Sequence, residues 1–168
     1  GFMKPDDICM VDLDGNQLSK SPYSINPAGF TIHSAIHEVR EDAGCVLHLH
    51  TPDGTAVASS MEGLLPMNQT AQLVTHDLAY HDYEGIALDM DERTRLACDL
   101  GPSARTMILR NHGLLSAGRS VAEAFHLMYY LDCACQIQID ALAGGRVEVS
   151  AINEAIARKG FEQFEGPG

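Results

Sequence analysis

Positive charge is scarce in this sequence. Eleven Lys and Arg stand against 23 Asp and Glu in 168 residues, a formal charge of −12 and a pI near 4.9. That balance argues against nucleic acid or an anionic membrane as partner. An anionic substrate then needs a local positive centre, such as a metal ion. Long apolar runs are absent too: no stretch of 18 or more apolar residues exists, so no transmembrane helix is expected. Gly1-Phe2-Met3-Lys4-Pro5 has neither the apolar core nor the cleavage pattern of a signal peptide. It also lacks an initiator methionine at position 1, so the chain reads as a fragment or a processed product. Five cysteines, an odd number without a secretory signal, point to reduced thiols and a cytoplasmic setting. There is no Cys-x-x-Cys pair. Cys133 and Cys135, two apart on an expected helix, diverge, and all five cysteines are read as structural because cysteine is so often buried. Walker A, Gly-x-Ser-x-Gly and Gly-x-Gly-x-x-Gly motifs are missing as well.

What is present is ordinary globular composition, with 45% apolar and 20% charged residues and length enough for one domain over 1–168. Ile8–Leu13 reads as a β-rich run closed by the turn Asp14-Gly15-Asn16, and Asp12 and Asp14 are turn formers without EF-hand spacing. Ile32, Ala35, Ile36 and Val39 predict a helix from Phe30 to Glu41, stopped by Gly44. A strand over Cys45–His50 follows, then a helix from Pro52 to Ser59. A helical stretch is expected at Ala71–Thr75. Short strands at Leu78–Tyr80 and Ile86–Leu88 flank a polar loop. Asp91–Leu100 reads as a helix ended by Gly101-Pro102. Strands are expected at Thr106–Arg110 and Leu114–Ala117. Ser120 with Glu123 has the form of a capping box and opens the longest helix, Val121 to Ala143. Ala122, Phe125, Met128, Tyr129, Ala134 and Ile137 give that helix a broad apolar face, as for burial against a sheet or a partner subunit. A short helix from Ile152 to Lys159 and a loose tail over 161–168 complete the chain. The mixture lacks strict βαβ spacing, so α/β layers around a sheet that is not purely parallel are expected.

Eight histidines are more than a core needs. His48 and His50 sit at i and i+2 near a strand end, so their side chains face one way, about 6.6 Å apart at Cα. Taken alone, they are either two unrelated polar residues or two metal ligands. His112 occupies another break, Asn111-His112-Gly113, where glycine allows the turn that aims a side chain. Three neutral imidazoles make a zinc site with one open position, the catalytic arrangement. Such an ion polarises a carbonyl and holds an enediolate. His33 and His37 share a helical face, but no glutamate completes a His-Glu-x-x-His motif. Glu38 and Glu84 read as solvated charges, and His76 and His126 as structural.

His48-Leu49-His50-Thr51-Pro52, Tyr80-His81-Asp82-Tyr83-Glu84-Gly85 and Arg110-Asn111-His112-Gly113-Leu114 together resemble the class II aldolase/adducin domain, from about Met3 to about Gly145. The resemblance implies a three-layer α/β/α fold with a central mixed, largely antiparallel sheet. By likeness to zinc-dependent fuculose-phosphate-type aldolases, it implies Zn²⁺, or another divalent transition metal, on His48, His50 and His112. It further implies homotetramers with sites between subunits. Tyr80 is then a candidate proton donor, to its own or a neighbouring subunit, with His81 and Tyr83 nearby and His33 supporting the ligands from behind.

Family aldolases carry a catalytic glutamate where this chain has Gly29, and phosphate-holding serines where it has Pro27 and Ala28. The pattern Asn26-Pro27-Ala28-Gly29-Phe30 is closer to the adducin-like branch, whose animal members are cytoskeletal scaffolds. The resemblance implies N-terminal helices ahead of the matched region, and the stretch from Gly1 on is expected to lack them. Two functions are therefore expected side by side. One is a metal-dependent aldolase or decarboxylase acting on a small hydroxy-carbonyl or keto acid through a metal-stabilised enolate. The other is a non-catalytic, adducin-like oligomeric interaction module.

Overall fold

Two strands buried at every position set the plan of the molecule. The computed structural model describes residues 4–87, 90–145, 158, 159 and 162. After a 3-10 turn at Pro5–Asp7 come α1 (Pro27–Val39), β1 (Cys45–Leu49), α2 (Pro52–Ala58), α3 (Gln69–Thr75) and β2 (Leu78–His81). Then follow α4 (Glu92–Leu100), β3 (Thr106–Leu109), β4 (Gly113–Gly118) and α5 (Val121–Leu142). The strands form one sheet in the order β1-β4-β3-β2. β1–β4 and β3–β4 are antiparallel and β2–β3 parallel, a mixed, largely antiparallel sheet as expected.

β3 and β4 are fully buried because both of their faces are covered, which requires apolar residues without alternation. Their side chains still point to opposite faces in turn. Met107, Leu109, Leu115 and Ala117 pack with Ile32 and Ile36 of α1 and Leu96 and Leu100 of α4. Ile108 and Leu114 pack with Val57 of α2, Val74 of α3 and Met128 and Leu131 of α5. The result is three layers, with α1 and α4 on one face and α2, α3 and α5 on the other. Arg40 staples the first layer: its buried guanidinium donates to Asp42 and to the carbonyls of Gly101 and Ala104 beyond α4.

Several expected elements shift. α1 begins three residues earlier than its apolar spacing suggests, because Asn26 accepts from the Ala28 N–H and Pro27 fits the first turn. It ends at Val39, where Arg40 leaves the helix to reach its carbonyls. The Ile8–Leu13 run reduces to one bridge, Val11 with Gln17, held by Asp12 accepting from the Asp14 and Asn16 N–H groups. The strand expected at Ile86–Leu88 does not form at Ile86 and Ala87, which bend instead. Gly85 turns the chain there at φ 111° and leaves Ile86 exposed; Leu88 lies outside the described residues. On α5, Met128 and Ala134 are buried, but Ala122, Phe125, Tyr129 and Ile137 face solvent. The Ile152–Lys159 helix falls outside the described residues except at Arg158 and Lys159. The 161–168 tail does so except at Glu162. No helix among the described residues is long and apolar enough to cross a membrane.

The β3–β4 hairpin is the part of the fold that shapes the histidine cluster. Leu109 pairs with Gly113, leaving the loop Arg110-Asn111-His112. Asn111 takes the left-handed conformation at φ 57°, which asparagine tolerates better than most residues. The left-handed turn therefore belongs to Asn111 rather than to Gly113. Glycine is needed at 113 for a different reason. A Cβ there would collide with the Leu49 carbonyl of the neighbouring strand and stand 3.0 Å from His50 Cδ2. Gly113→Ala is expected to cost about 1–3 kcal/mol by forcing β1 and β4 apart, read as a lower urea midpoint at unchanged denaturant slope.

Candidate metal centre

His48 and His50 leave the end of β1 on the α1–α4 side of the sheet, the side Val46 also faces. The hairpin tip brings His112 alongside. α2 pins that tip: the Asn111 N–H donates to the Ala58 carbonyl and the Thr55 hydroxyl to the His112 carbonyl. Arg110 adds hydrogen bonds from its guanidinium to the carbonyls of Ser60 and Met61. Thr51, next after His50, caps α2 by accepting from the Gly54 N–H and donates to Asp132 at 2.5 Å. The hairpin tip that carries His112 is thus held by α2 on both sides, and the chain just after His50 is tied to α2 and α5.

The three rings converge, with centroids 4.6–4.8 Å apart. One nitrogen from each lies within 4.8 Å of the other two. His48 Nδ1 donates to the Leu114 carbonyl at 2.9 Å, which fixes the tautomer and leaves the Nε2 lone pair facing inward. His50 Nε2 stands 2.8 Å from that atom. Three inward nitrogens, one of them oriented by a backbone acceptor, are a donor set that could hold a divalent transition metal.

Around them opens a cleft of about 510 Å³, lined further by Asn26, which caps α1, by Ala28 and Ile32 of α1, and by Tyr83, Gly85, Ile86, Ala87 and Asn111. Among the described residues that line it there is no lysine, arginine or carboxylate. The tyrosine at this cleft is Tyr83, its ring centroid 6.3 Å from that of His112. Tyr80 points to the opposite face of the sheet. It pairs with Ile108 and packs in the α2–α3–α5 layer. Its hydroxyl accepts from the Leu64 N–H, and the Arg110 guanidinium lies 4.5 Å from its ring centroid. β2 ends at His81, so Tyr80 is fixed on its face of the sheet by the strand, whereas Tyr83 sits in the loop beyond it.

His33 is half-buried on α1 and near enough to His48 to act on its charge. His37 is exposed, with Nδ1 donating to the Ala43 carbonyl. His81 is buried between two α4 carboxylates, Nδ1 2.7 Å from Asp99 and Nε2 3.5 Å from Glu92. It anchors the strand end from which the Tyr83 loop departs. Sequence reasoning misses that trio, since α4 reaches β2 only through tertiary packing. Glu38 and Glu84 pair with Arg93 and Arg95 on the surface.

The class II aldolase and adducin N-terminal domain model matches residues 1–139. A solved aldolase II superfamily protein from Pseudomonas syringae is 44% identical, with a TM-score of 0.87 over 96% of this chain and 64% of that one. L-fuculose 1-phosphate aldolase from Glaciozyma antarctica PI12 is 28% identical, with a TM-score of 0.80 over 94% of this chain and 60% of that one. Mouse alpha-adducin is 46% identical over 135 residues, covering 79% of this chain and 18% of the adducin. The chain therefore spans less than two thirds of the length of each.

Burial pushes the His48 imidazole down to about 4, with His112, His50 and His33 acting the same way against the Leu114 hydrogen bond. Burial, then His50 and His81, also hold His112 below its ordinary value. Both are thereby kept neutral, the form that offers a lone pair. An unfolded chain takes up a proton at His48 near 6.5, whereas the folded one does so only near 4. Stability from this group is complete above 6.5 and is lost as pH falls through that window. Metal-free protein is expected to lose up to about 3 kcal/mol from His48 across it. Urea titrations at successive pH values check this, and His48→Gln is expected to flatten the slope.

Proposed function

The chain belongs to the class II aldolase and adducin family, and from that membership we propose a metal-dependent lyase of aldolase or decarboxylase type. Its substrate would be a small hydroxy-carbonyl or keto acid, and its resident ion Zn²⁺ or another divalent transition metal. The observation that carries this reading is the convergence of His48, His50 and His112, with His48 oriented by the Leu114 carbonyl. A cation held there supplies Lewis acidity, polarising a carbonyl and carrying negative charge on an enolate.

The chain's own residues define the rest. Three histidines leave one side of the centre open to the cleft. Ile32, Ala28 and Ala87 wall that side and limit water, while Asn26 and Asn111 offer neutral hydrogen bonds to a substrate's hydroxyl or carboxylate. Tyr83, rather than Tyr80, is the tyrosine we assign to proton donation within one chain. The Tyr80 hydroxyl accepts from the Leu64 N–H and keeps its own proton to donate, so a role toward a neighbouring subunit would require that subunit's site to lie against the α2–α3–α5 side of the sheet. His33 supports His48 from behind by disfavouring its protonation.

Aldol cleavage needs a base for the substrate hydroxyl, and Gly29 provides none. Decarboxylation of a β-keto acid needs none either: the C–C bond breaks, CO₂ leaves, and the electron pair passes to the carbonyl as an enolate. Tyr83 can then return a proton to carbon. We therefore favour decarboxylation. We also take the working assembly to be a cytoplasmic homotetramer, as the family resemblance implies, and the five free thiols suit that compartment.

The second reading, a non-catalytic adducin-like module, is favoured by the 46% identity to alpha-adducin and by Gly29. Metal analysis by mass spectrometry separates the two. About one divalent ion per chain, and an affinity at least about 100-fold weaker in His48→Ala, is the result expected of the enzyme. Metal-free protein in which His48→Ala alters only stability would leave the module. Gly29→Glu supplies the missing carboxylate where space exists, since a Cβ there meets only Asn26 Cβ, at 3.8 Å. Its fold is expected to hold. In assays on short keto and hydroxy acids, its aldol-to-decarboxylation ratio is expected to rise.

A further inference from the structure

The cleft in front of the histidines has two kinds of lining. The imidazoles of His48, His50 and His112 and the amides of Asn26 and Asn111 are polar. Ala28, Ile32, Ile86 and Ala87 are not. Ala28 and Ile32 stand four residues apart on α1, so they share one face of the helix. Ile32 and Ala87 belong to the α1–α4 core, 2% and 1% exposed, and Ala28 packs against it. The apolar lining is therefore a continuous wall where the core itself reaches the cleft. Ile86, next to Ala87 and 72% exposed, carries that wall out to the rim.

We infer, resting on the lyase reading, that this wall selects the substrate: a keto or hydroxy acid whose far end is a short, uncharged carbon chain. With the acid end at the histidines, the far end lies along Ala28, Ile32, Ala87 and Ile86. A charged group placed there loses its hydration and gains no hydrogen bond in return. A second anionic group is also repelled by a protein of net charge −12. Asn26 and Asn111 accept a hydroxyl as readily as a carboxylate, and they give a phosphate no countercharge. A carbon chain gains by leaving water, by about threefold to fourfold in affinity for each methylene buried. The cleft volume, about 510 Å³, is that of a small-molecule site and leaves room for such a chain. Ile32 forms the floor of this selection and Ile86 its rim.

Calorimetric titration of the metal-loaded protein in its native assembly tests this, with metal content measured on the same samples. The probes are pyruvate, 2-oxobutanoate, 2-oxopentanoate and 2-oxohexanoate, with 2-oxoglutarate as the charged counterpart of the longest. None has a carbonyl placed to take up the electron pair of a departing carboxylate, so binding is read without turnover. Affinity is expected to rise about threefold to fourfold per methylene. The 2-oxoglutarate ion is expected to bind at least about tenfold more weakly than 2-oxohexanoate. Ile86→Lys changes an exposed position, so the fold is expected to hold by circular dichroism, and that ratio is expected to fall about fivefold. Ala28→Leu is expected to flatten the rise with chain length, because its side chain takes the space of the substrate's. Equal affinity along the series overturns the proposal. So does tighter binding of 2-oxoglutarate, the result expected if a neighbouring subunit brings a cation to the rim. An unchanged ratio in Ile86→Lys overturns the assignment of the rim to Ile86. Protein that carries metal and gives either of the first two results loses this substrate class and keeps the lyase reading. Protein that takes up no metal loses both.

Discussion

The alignment of β1 on β4 constrains everything else at the centre. His48 lies opposite Leu115 and Leu49 opposite Leu114, and the His48 imidazole is hydrogen-bonded to the backbone carbonyl of Leu114. A strand has a period of two, so a slip of one residue would turn Val46 and His48 away from α1 and send Leu47 into their place. The apolar layers prevent it. Val46 belongs to the α1–α4 core and Leu47 packs against the opposite one. The geometry of the histidine cluster and core packing are therefore one specification. Gly113 lets the two strands approach, and the pinned hairpin brings in the third histidine.

Electrostatically, the centre is an exception to its surroundings. The protein is strongly acidic, yet its cleft is lined by imidazoles, amides and apolar groups, and burial keeps His48 and His112 neutral. The surface carboxylates that come nearest in sequence are engaged by arginines, where such exposed pairs contribute little to stability. Among the residues lining the cleft, nothing competes with an ion for the three nitrogens.

Much of this plan is legible in the residues. Caps and stops locate most elements, as with Thr51 and Pro52 at α2 or Ser120 at α5, because such signals act within four residues. The His-x-His strand and the Asn-His-Gly break are legible for the same local reason, together with their likeness to a family. What escapes depends on distance in the chain. His81 between Asp99 and Glu92 requires α4 to lie on β2, and no local pattern announces that. The exchange of Tyr80 for Tyr83 turns on where β2 stops. Ile86 has the composition of a strand but bends away at Gly85 instead of pairing. Asn26-Pro27-Ala28-Gly29 has the composition of a loop, because its glycine masks a proper helix start.

The tripeptide Asn111-His112-Gly113 carries two kinds of information. Asn111 is suited to its left-handed backbone and Gly113 is required by the Leu49 carbonyl, so both are held by architecture whether or not the protein has chemistry to do. Only His112 reports on the centre. A descendant that abandoned the reaction would keep the outer letters under selection for folding and be free to lose the middle one. Among relatives, a motif that reads Asn-x-Gly with another residue at its centre is therefore the pattern expected where the hairpin has outlived the histidine cluster.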